Sequence, residues 1–166
     1  MNQSPRAALL VVDVQYGFIG PFTDHIPAIV EGLLPRYPLT LATRFYNPAG
    51  SNYRRLIGWD RLDRVSEDFP LAFTPLPGTV VIDKPIYTCV TPSFLELLDR
   101  ECIDEVHICG IDTDICVLKC AVDLFEHERV PVVLAHACAT NAGPELHRAA
   151  LAILKRYIGS GQVRGG

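Results

Sequence analysis

The stretch Glu105-Val-His-Ile-Cys-Gly-Ile-Asp-Thr-Asp-Ile-Cys-Val-Leu-Lys119 decides the fold of this chain. Its first half is an apolar run that passes through Gly110, and its second half turns directly into a segment that we expect to be helical. A buried strand followed at once by a helix is typical of a parallel sheet, because parallel strands are joined by helical crossovers. The stretch therefore predicts one strand and one helix of an α/β protein.

Similar short runs rich in Val, Ile and Leu recur along the rest of the chain, with segments of helical period between several of them. This alternation indicates a parallel sheet covered by helices on both faces. We therefore predict an α/β fold, a doubly wound parallel sheet of five or six strands in a three-layer arrangement. The predicted strands are Ala7–Val12, Leu39–Thr43, Thr79–Ile82, Glu105–Cys109 and Val130–Leu134.

Two dipeptides, Thr91-Pro92 and Gly143-Pro144, resemble helix starts with proline near the first helical position. Asn47 to Gly78 contains four prolines and three glycines and no clear strand, so it is either a structural excursion or a lid over a site. We expect Gly159 to Gly166 to be a frayed tail. The predicted helices are about Thr23–Leu34, Pro92–Arg100, Asp114–His127 and Pro144–Tyr157.

Length and composition narrow the class of protein. The 166 residues, 49% of them hydrophobic, fit one domain over residues 1–166 with a full core. The net charge of -4 argues against a nucleic-acid or membrane partner, since both need a concentrated basic surface. No signal or membrane segment is recognisable, so we expect a cytoplasmic protein with a small-molecule partner and with its six cysteines reduced.

Three chemically complementary residues lie at the ends of predicted strands. Asp13 follows the first strand, Lys84 follows the third, and Cys116 lies where the fourth passes into a helix. Ligand crevices of open α/β sheets lie beyond the carboxyl ends of the strands, so the three side chains are potential neighbours. A helix N-terminus favours the thiolate form of a cysteine, which predicts an activated Cys116. Taken singly, each residue has a plain structural explanation as a turn former, a solvated lysine or a packed thiol.

Together these residues would make a nucleophilic site. Cys116 would attack a carbonyl carbon, Asp13 would carry the proton to the leaving group, and Lys84 would lower the thiol pKa and orient the carboxylate. The backbone N–H groups of Asp112 and Cys116 are candidates for binding the developing oxyanion.

Three segments of the chain resemble the signature segments of the isochorismatase-like cysteine hydrolases, in the order found in that family. They are Val11-Val-Asp-Val-Gln-Tyr-Gly-Phe18, Asp83-Lys-Pro-Ile-Tyr87 and Gly110-Ile-Asp-Thr-Asp-Ile-Cys-Val117. The resemblance implies a Rossmann-like parallel sheet, an Asp-Lys-Cys triad at Asp13, Lys84 and Cys116, and a cis peptide before Asp112. It also implies a homo-oligomer, a dimer or a tetramer.

Nicotinamidase-type members of that family hold a divalent metal with an Asp-x-His pair and a further histidine. The resemblance puts Phe45, Asn47 and Ser51 at the matching positions here. A phenyl ring cannot ligate a metal, and Asn and Ser are poor replacements for imidazole. We therefore expect no metal and no cofactor, and nicotinamide becomes a disfavoured substrate.

Several side chains near the expected crevice are candidates for contacting a substrate. An arginine fork would suit a carboxylate, whereas neutral donors and acceptors would suit an amide or ureido group, and the sequence leaves this choice open. His136 is expected to make a structural hydrogen bond at a strand end, with a contact at the pocket rim as the alternative, and His147 is expected to be structural. The pocket candidates are Phe18, Arg44, Tyr46, Asn47, Trp59, Tyr87 and Thr113.

Three functions remain open at this point. The first is a metal-independent hydrolase of a C–N bond in a small amide, imide or carbamoyl compound, working through a thioester at Cys116. The second is hydrolysis of a vinyl ether of the isochorismate type, for which the resemblance implies reliance on the acid rather than on a cysteine. The third is a non-catalytic binding or redox protein with an oxidisable thiol. The presence of Asp13, Lys84 and Cys116 together favours the first.

Overall fold

A computed structural model describes residues 4–165, which are built around one six-stranded parallel sheet. Its strands are β1 (Ala7–Val12), β2 (Leu39–Phe45), β3 (Val80–Lys84), β4 (Glu105–Ile111), β5 (Val130–Ala139) and β6 (Val163–Arg164). They are arranged in the order β3-β2-β1-β4-β5-β6. The order runs outward in both directions from β1, which confirms the doubly wound α/β prediction.

Five helices connect the strands, and each predicted helix is present. Thr23 lies in a turn before the first of them, because its hydroxyl donates to the Phe18 carbonyl oxygen at 2.7 Å. No helix among residues 4–165 combines the length and the apolar character needed to cross a membrane. The helices are α1 (Ile26–Leu33), α2 (Asn52–Leu56), α3 (Pro92–Arg100), α4 (Leu118–Glu126) and α5 (Pro144–Ile158).

The core lies in two layers, one on each face of the sheet, and β1 contributes alternately to both. Leu9 and Val11 pack with α1, while Ala8, Leu10 and Val12 pack with the layer formed by α3, α4 and α5. All five side chains are fully buried. This is why the run has no polar member and why the sequence predicted a central strand.

Gly110 lets β4 pass very close to β1 near the site. Its φ is +128°, and a Cβ added there would lie 2.1 Å from the backbone oxygen of Val12. Only glycine fits such an approach.

The neighbouring strand β5 is longer than predicted, since it continues to Ala139 instead of ending at Leu134. The register between β4 and β5 shifts between Ile108 and Gly110, and the two strands pair again beyond that point.

The prediction of a frayed C-terminal tail is wrong for residues 159–165. Val163 and Arg164 form β6 beside β5, and the Val163 side chain is buried in the core. The Gln162 side chain adds a hydrogen bond of 3.0 Å to the Pro131 carbonyl oxygen. A strand of two residues is too short to produce an apolar alternation, so its sequence gave no signal.

The long connection between β2 and β3 contains one short helix, α2, and otherwise irregular chain. Gln15 fastens this connection to the sheet. Its side-chain amide donates to the carbonyl oxygens of Phe45 (3.0 Å) and Phe69 (2.7 Å), and its oxygen accepts from the Phe45 N–H at 2.7 Å. Because Gln15 is fully buried, these bonds hold the segment firmly against the carboxyl end of the sheet.

Candidate active site

Asp13, Lys84 and Cys116 meet at the carboxyl end of the sheet. Asp13 follows β1, Lys84 is the last residue of β3, and Cys116 lies in the turn after β4. The Lys84 Nζ is 2.7 Å from the Asp13 Oδ2 and 3.7 Å from the Cys116 Sγ. Their exposed fractions are 0% for Asp13, 3% for Lys84 and 5% for Cys116. A carboxylate, an ammonium and a thiol therefore share one nearly dry location.

The Asp13 side chain is fixed by a residue that the sequence analysis missed. Thr43 on β2 donates its hydroxyl to the Asp13 Oδ1 at 2.6 Å, and its oxygen accepts the Asp13 N–H at 3.0 Å. The Asp13 backbone has a φ of +50°, a conformation that costs an ordinary residue on the order of 1 kcal/mol. These two bonds help to hold that conformation and leave the Oδ2 for Lys84.

Lys84 uses its three ammonium protons on oxygen atoms. Besides Asp13, the Nζ donates to the carbonyl oxygens of Ile86 (3.0 Å) and Tyr87 (2.9 Å). Burial acts to lower the pKa of Lys84, but the adjacent Asp13 carboxylate outweighs it, and the pKa is raised above its ordinary value. The lysine is therefore a permanent cation at neutral pH.

Cys116 lies in a π-helical turn, Thr113–Val117, that precedes α4. Burial and the nearby Asp13 carboxylate raise the pKa of the Cys116 thiol well above its ordinary value, and Lys84 opposes this rise without cancelling it. This direction is opposite to the one expected from a helix N-terminus, and an activated Cys116 stays a prediction. A helix N-terminus favours a thiolate, but here the desolvation of a sulfur that is 5% exposed is the larger effect.

The turn that carries Cys116 begins with a cis peptide bond between Ile111 and Asp112. The Asp112 carboxylate accepts from the backbone N–H of Asn141 at 2.8 Å and from its side-chain amide at 3.2 Å. Burial raises the pKa of Asp112 above its usual value, although the Asn141 donors oppose the rise. The Asn141 amide also donates to the Phe18 carbonyl oxygen at 2.9 Å, so it links this turn to the segment after β1.

A cavity of about 470 Å³ opens onto Cys116, with walls that are mainly aromatic and aliphatic. Phe18 and Trp59 are stacked with ring centroids 5.6 Å apart and planes at 12°. Tyr53 and Tyr87 meet edge to face at 5.1 Å. A cavity of this size and lining suits a small, partly apolar molecule. The lining residues are Gly17, Phe18, Ile19, Gly20, Phe45, Tyr53, Ile57, Trp59, Arg61, Tyr87, Asp112, Ile115, Cys116 and Asn141.

Phe18, Trp59 and Tyr87 were among the predicted pocket residues and lie in this wall. Tyr53, Ile57 and Arg61 also lie in it, but they were not predicted. They come from the irregular connection between β2 and β3, where no periodicity in the sequence shows which side chains face inward.

Four predicted pocket residues do not line the cavity. Arg44 forms an ion pair with Asp83 at 2.7 Å. The Arg64 guanidinium lies over the Tyr46 ring, 3.9 Å from the ring centroid. The other two are used in local hydrogen bonds: the Asn47 amide donates to the Trp59 carbonyl oxygen (2.8 Å), and the Thr113 hydroxyl bonds the ring of His147 (2.8 Å). These four side chains shape the surroundings of the cavity, and they are not placed to contact its contents.

The positions matched to metal ligands do not fit a metal ion. Phe45 presents a ring to the cavity, and the Ser51 hydroxyl donates to the Asn47 side-chain oxygen at 2.5 Å. Both the nitrogen and the oxygen of the Asn47 side-chain amide are therefore already engaged in hydrogen bonds. Across residues 4–165, no group of three or more His, Cys, Asp or Glu side chains is arranged to hold a metal.

A second cavity, of about 410 Å³, is lined by His25, His136 and His147, with Cys138 among the other residues. His136 does not line the Cys116 cavity, and within the described residues its ring makes no hydrogen bond, so neither expectation for it holds. Its position inside the irregular part of β5 leaves it exposed. His147 makes a structural contact through Thr113.

Comparison with known proteins agrees with this architecture. The sequence model of the isochorismatase domain matches residues 7–161. An isochorismatase-like hydrolase from Alkaliphilus metalliredigens superposes with a TM-score of 0.83 at 17% identity, over 95% of this chain and 93% of that one. Pyrazinamidase of Pyrococcus horikoshii, solved with zinc, gives a TM-score of 0.82 at 24% identity, over 96% and 97%. At these identities the structural likeness establishes the fold.

Ureidoacrylate amidohydrolase RutB of Methylobacterium radiotolerans is 38% identical to this chain over 102 residues. The match covers 59% of this chain but only 39% of that protein's length, so it establishes no activity here by itself. The family match is different, because it extends over nearly all of the described residues. The chain belongs to the isochorismatase family and has the fold of its isochorismatase-like relatives.

Proposed function

We propose that this protein is a metal-independent cysteine hydrolase that cleaves a C–N bond in a small amide, imide or carbamoyl compound. The observation that carries the proposal is that Lys84 lies within contact of both Asp13 and Cys116, and that Cys116 lines the aromatic cavity. A nucleophile, a proton carrier and a fixed cation are the groups that acyl transfer through a thioester needs.

The high pKa of the thiol makes a base necessary. In the first step the Cys116 proton passes to Asp13 as the sulfur attacks the carbonyl carbon, and the charge moves to the carbonyl oxygen. The amide N–H groups of Asp112 and Cys116 stabilise that oxyanion. Lys84 holds the Asp13 carboxylate and balances the negative charge of the sulfur at 3.7 Å.

Collapse of the tetrahedral intermediate breaks the C–N bond. Asp13 returns its proton to the leaving nitrogen, and the acyl group stays on Cys116 as a thioester. Water then gives a proton to Asp13 and attacks the thioester carbon, and the departing sulfur recovers that proton. The products are an acid and ammonia or an amine.

The relatives support this reaction class. One carries the name ureidoacrylate amidohydrolase and others the name nicotinamidase or pyrazinamidase. Here the positions of the metal ligands hold Phe45, Asn47 and Ser51, so the proposed substrate is oriented by cavity walls and not by a metal. Cleavage of a vinyl ether is the second candidate, and the placement of Cys116 against Lys84 disfavours it, since that reaction needs no thiol.

Ammonia release from a panel of small primary amides and ureido compounds tests the proposal. We expect at least one of them to be hydrolysed, and we expect Cys116→Ala to reduce its turnover by about 10³-fold or more, as is typical for loss of a nucleophile. Cys102→Ala, which removes an exposed thiol, is the matched control and should keep full activity.

Three results would decide against the proposal. Turnover that persists in Cys116→Ala would assign the reaction to the acid, and release of pyruvate from isochorismate would assign it to a vinyl ether. No hydrolysis, together with reversible oxidation of Cys116 by peroxide, would favour the redox protein. The cytoplasmic location stays a prediction. Assembly into a dimer or a tetramer also stays a prediction, and light scattering would measure the mass of the assembly.

A further inference from the structure

Arg61 is the one cation in the wall of the Cys116 cavity, among the lining residues that the structure describes. Aromatic and aliphatic side chains make up most of that wall, including the stacked pair Phe18 and Trp59. A guanidinium in such a wall is a recognition group for an anion, since the apolar surroundings offer a ligand few other polar contacts.

The orientation of Arg61 is set by one neighbour, Asp68. The Arg61 Nε donates to the Asp68 Oδ2 at 3.2 Å, and Asp68 is itself held by the hydroxyl of Ser66. Within residues 4–165 the two terminal nitrogens of Arg61 have no hydrogen-bond partner. Asp68 thus occupies the inner edge of the guanidinium and leaves the terminal edge, with its parallel donors, for a ligand.

Other charges near the cavity are already engaged. Lys84 and Asp13 neutralise each other beneath the cavity, and Asp112, the one acid of the wall, is bonded to Asn141. Arg61 is 54% exposed, so solvent weakens its field but a direct contact remains possible. Of the charged groups in the wall, Arg61 is therefore the one with donors to spare.

Building on the proposed hydrolase function, we infer that Arg61 selects substrates that carry a carboxylate at the end opposite the bond to be cleaved. The substrate class is then a small amide or ureido acid. A planar guanidinium binds a carboxylate through two parallel N–H donors, which gives orientation as well as affinity. The apolar walls hold the short carbon chain between the two ends.

The test compares each acid with a neutral compound of the same shape. Succinamate is paired with 4-methylpentanamide, and 3-ureidopropionate with 3-methylbutylurea, so that an isopropyl group replaces the carboxylate. Ammonia release gives kcat/KM for the wild type, Arg61→Gln, Arg61→Lys and Arg55→Gln. Arg55 is the matched control because it is an exposed arginine on the same segment that bonds Asn52 and does not line the cavity.

We expect the wild type to prefer the acids. Arg61→Gln should lose about 10- to 100-fold in kcat/KM on the acids, mainly through KM, because a hydrogen bond to a charged group is lost. The neutral compounds should be unaffected, Arg61→Lys should recover part of the loss, and Arg55→Gln should behave as wild type. An equal loss on acids and neutral compounds would overturn the inference and leave Arg61 as a structural partner of Asp68.

A binding measurement decides the matter even if none of the four compounds is hydrolysed. Calorimetry of succinamate with Cys116→Ala should give a Kd that rises about 10-fold or more when Arg61→Gln is added. Binding that does not depend on Arg61, or no binding at millimolar concentration, would overturn the inference. Binding that depends on Arg61 without hydrolysis would instead count against the proposed reaction alone.

Discussion

The carboxyl end of the sheet and the connection that covers it are built in opposite ways. Asp13, Lys84 and Cys116 sit on strand ends or on the turn beside them, and each is at most 5% exposed. The connection between β2 and β3 has one helix of five residues and exposes large apolar side chains, including Val65 at 97%. The reactive groups are thus placed by the sheet, whereas much of the cavity wall is placed by side-chain hydrogen bonds.

We therefore expect the residues at the sheet end to determine the chemical step and the residues of the covering connection to determine which substrate binds. A change beneath the cavity disturbs buried charges, so it should affect both stability and the rate of the chemical step. A change in the covering connection should mainly alter substrate binding, because it moves the wall and leaves the triad in place. Three variants test this division and a fourth tests a group outside both regions, and they follow in order of expected effect.

Lys84→Met should cause the largest loss of stability. It leaves the Asp13 carboxylate buried without its cation, which costs about 3–5 kcal/mol, and it should also remove nearly all turnover. Denaturant unfolding measures the stability loss. The double variant Asp13→Asn/Lys84→Met should be more stable than the sum of the single changes predicts, because it removes both charges. A Lys84→Met protein as stable as the wild type would mean that the ion pair does not hold the sheet end together.

Asp13→Asn should move alkylation and turnover in opposite directions. Asp13 raises the pKa of Cys116, so its removal lowers that pKa and should speed alkylation of Cys116 by iodoacetamide at pH 8. Turnover should fall sharply, because the proton carrier is gone. The exposed Cys102 is the internal control, and in the wild type it should react before Cys116 at neutral pH. Slower alkylation in Asp13→Asn would contradict the assigned electrostatics.

Arg54→Ala should loosen the cavity wall. The Arg54 guanidinium donates to the carbonyl oxygens of Asn47 (3.1 Å), Pro48 (3.3 Å) and Asp60 (3.1 Å), and it pairs with Asp63 (2.7 Å). Its loss frees the chain around Trp59, so KM should rise about tenfold while kcat changes little.

Arg55→Ala serves as the control for Arg54→Ala, since Arg55 lies next to it and is exposed with one side-chain partner. It should leave both kinetic constants unchanged. A fall in kcat with constant KM in Arg54→Ala would show that the connection supports the chemistry directly.

His147→Gln should have the smallest effect, visible as a change with pH. Burial and the charge of Arg148 lower the pKa of His147, so the unfolded chain binds its proton more readily than the folded protein does. The wild type should therefore lose stability as pH falls below about 6.5, the ordinary histidine value. Thermal unfolding at pH 7.5 and 5.5 should show a smaller drop for His147→Gln. An equal drop would assign the acid sensitivity to other groups.

The features that could be predicted from the sequence are those that depend on regular strands and helices. Buried strands such as β1 have no polar member, so their positions and the meeting of Asp13 with Lys84 at one sheet end could be inferred. The roles of Thr43 and Asn141 could not, because single polar residues give no sign of the partner that tertiary structure brings to them. The direction of the Cys116 pKa shift could not be inferred for a related reason: local sequence shows a helix start but not the depth of burial.

The central claim is that the Cys116 sulfur becomes covalently acylated during hydrolysis. Intact-protein mass spectrometry on enzyme quenched during turnover of a hydrolysed amide tests it directly. We expect a mass increase equal to the acyl group, located on the peptide that contains Cys116 and labile to hydroxylamine. Full hydrolytic activity in Cys116→Ala, with the adduct absent or on another residue, would contradict it.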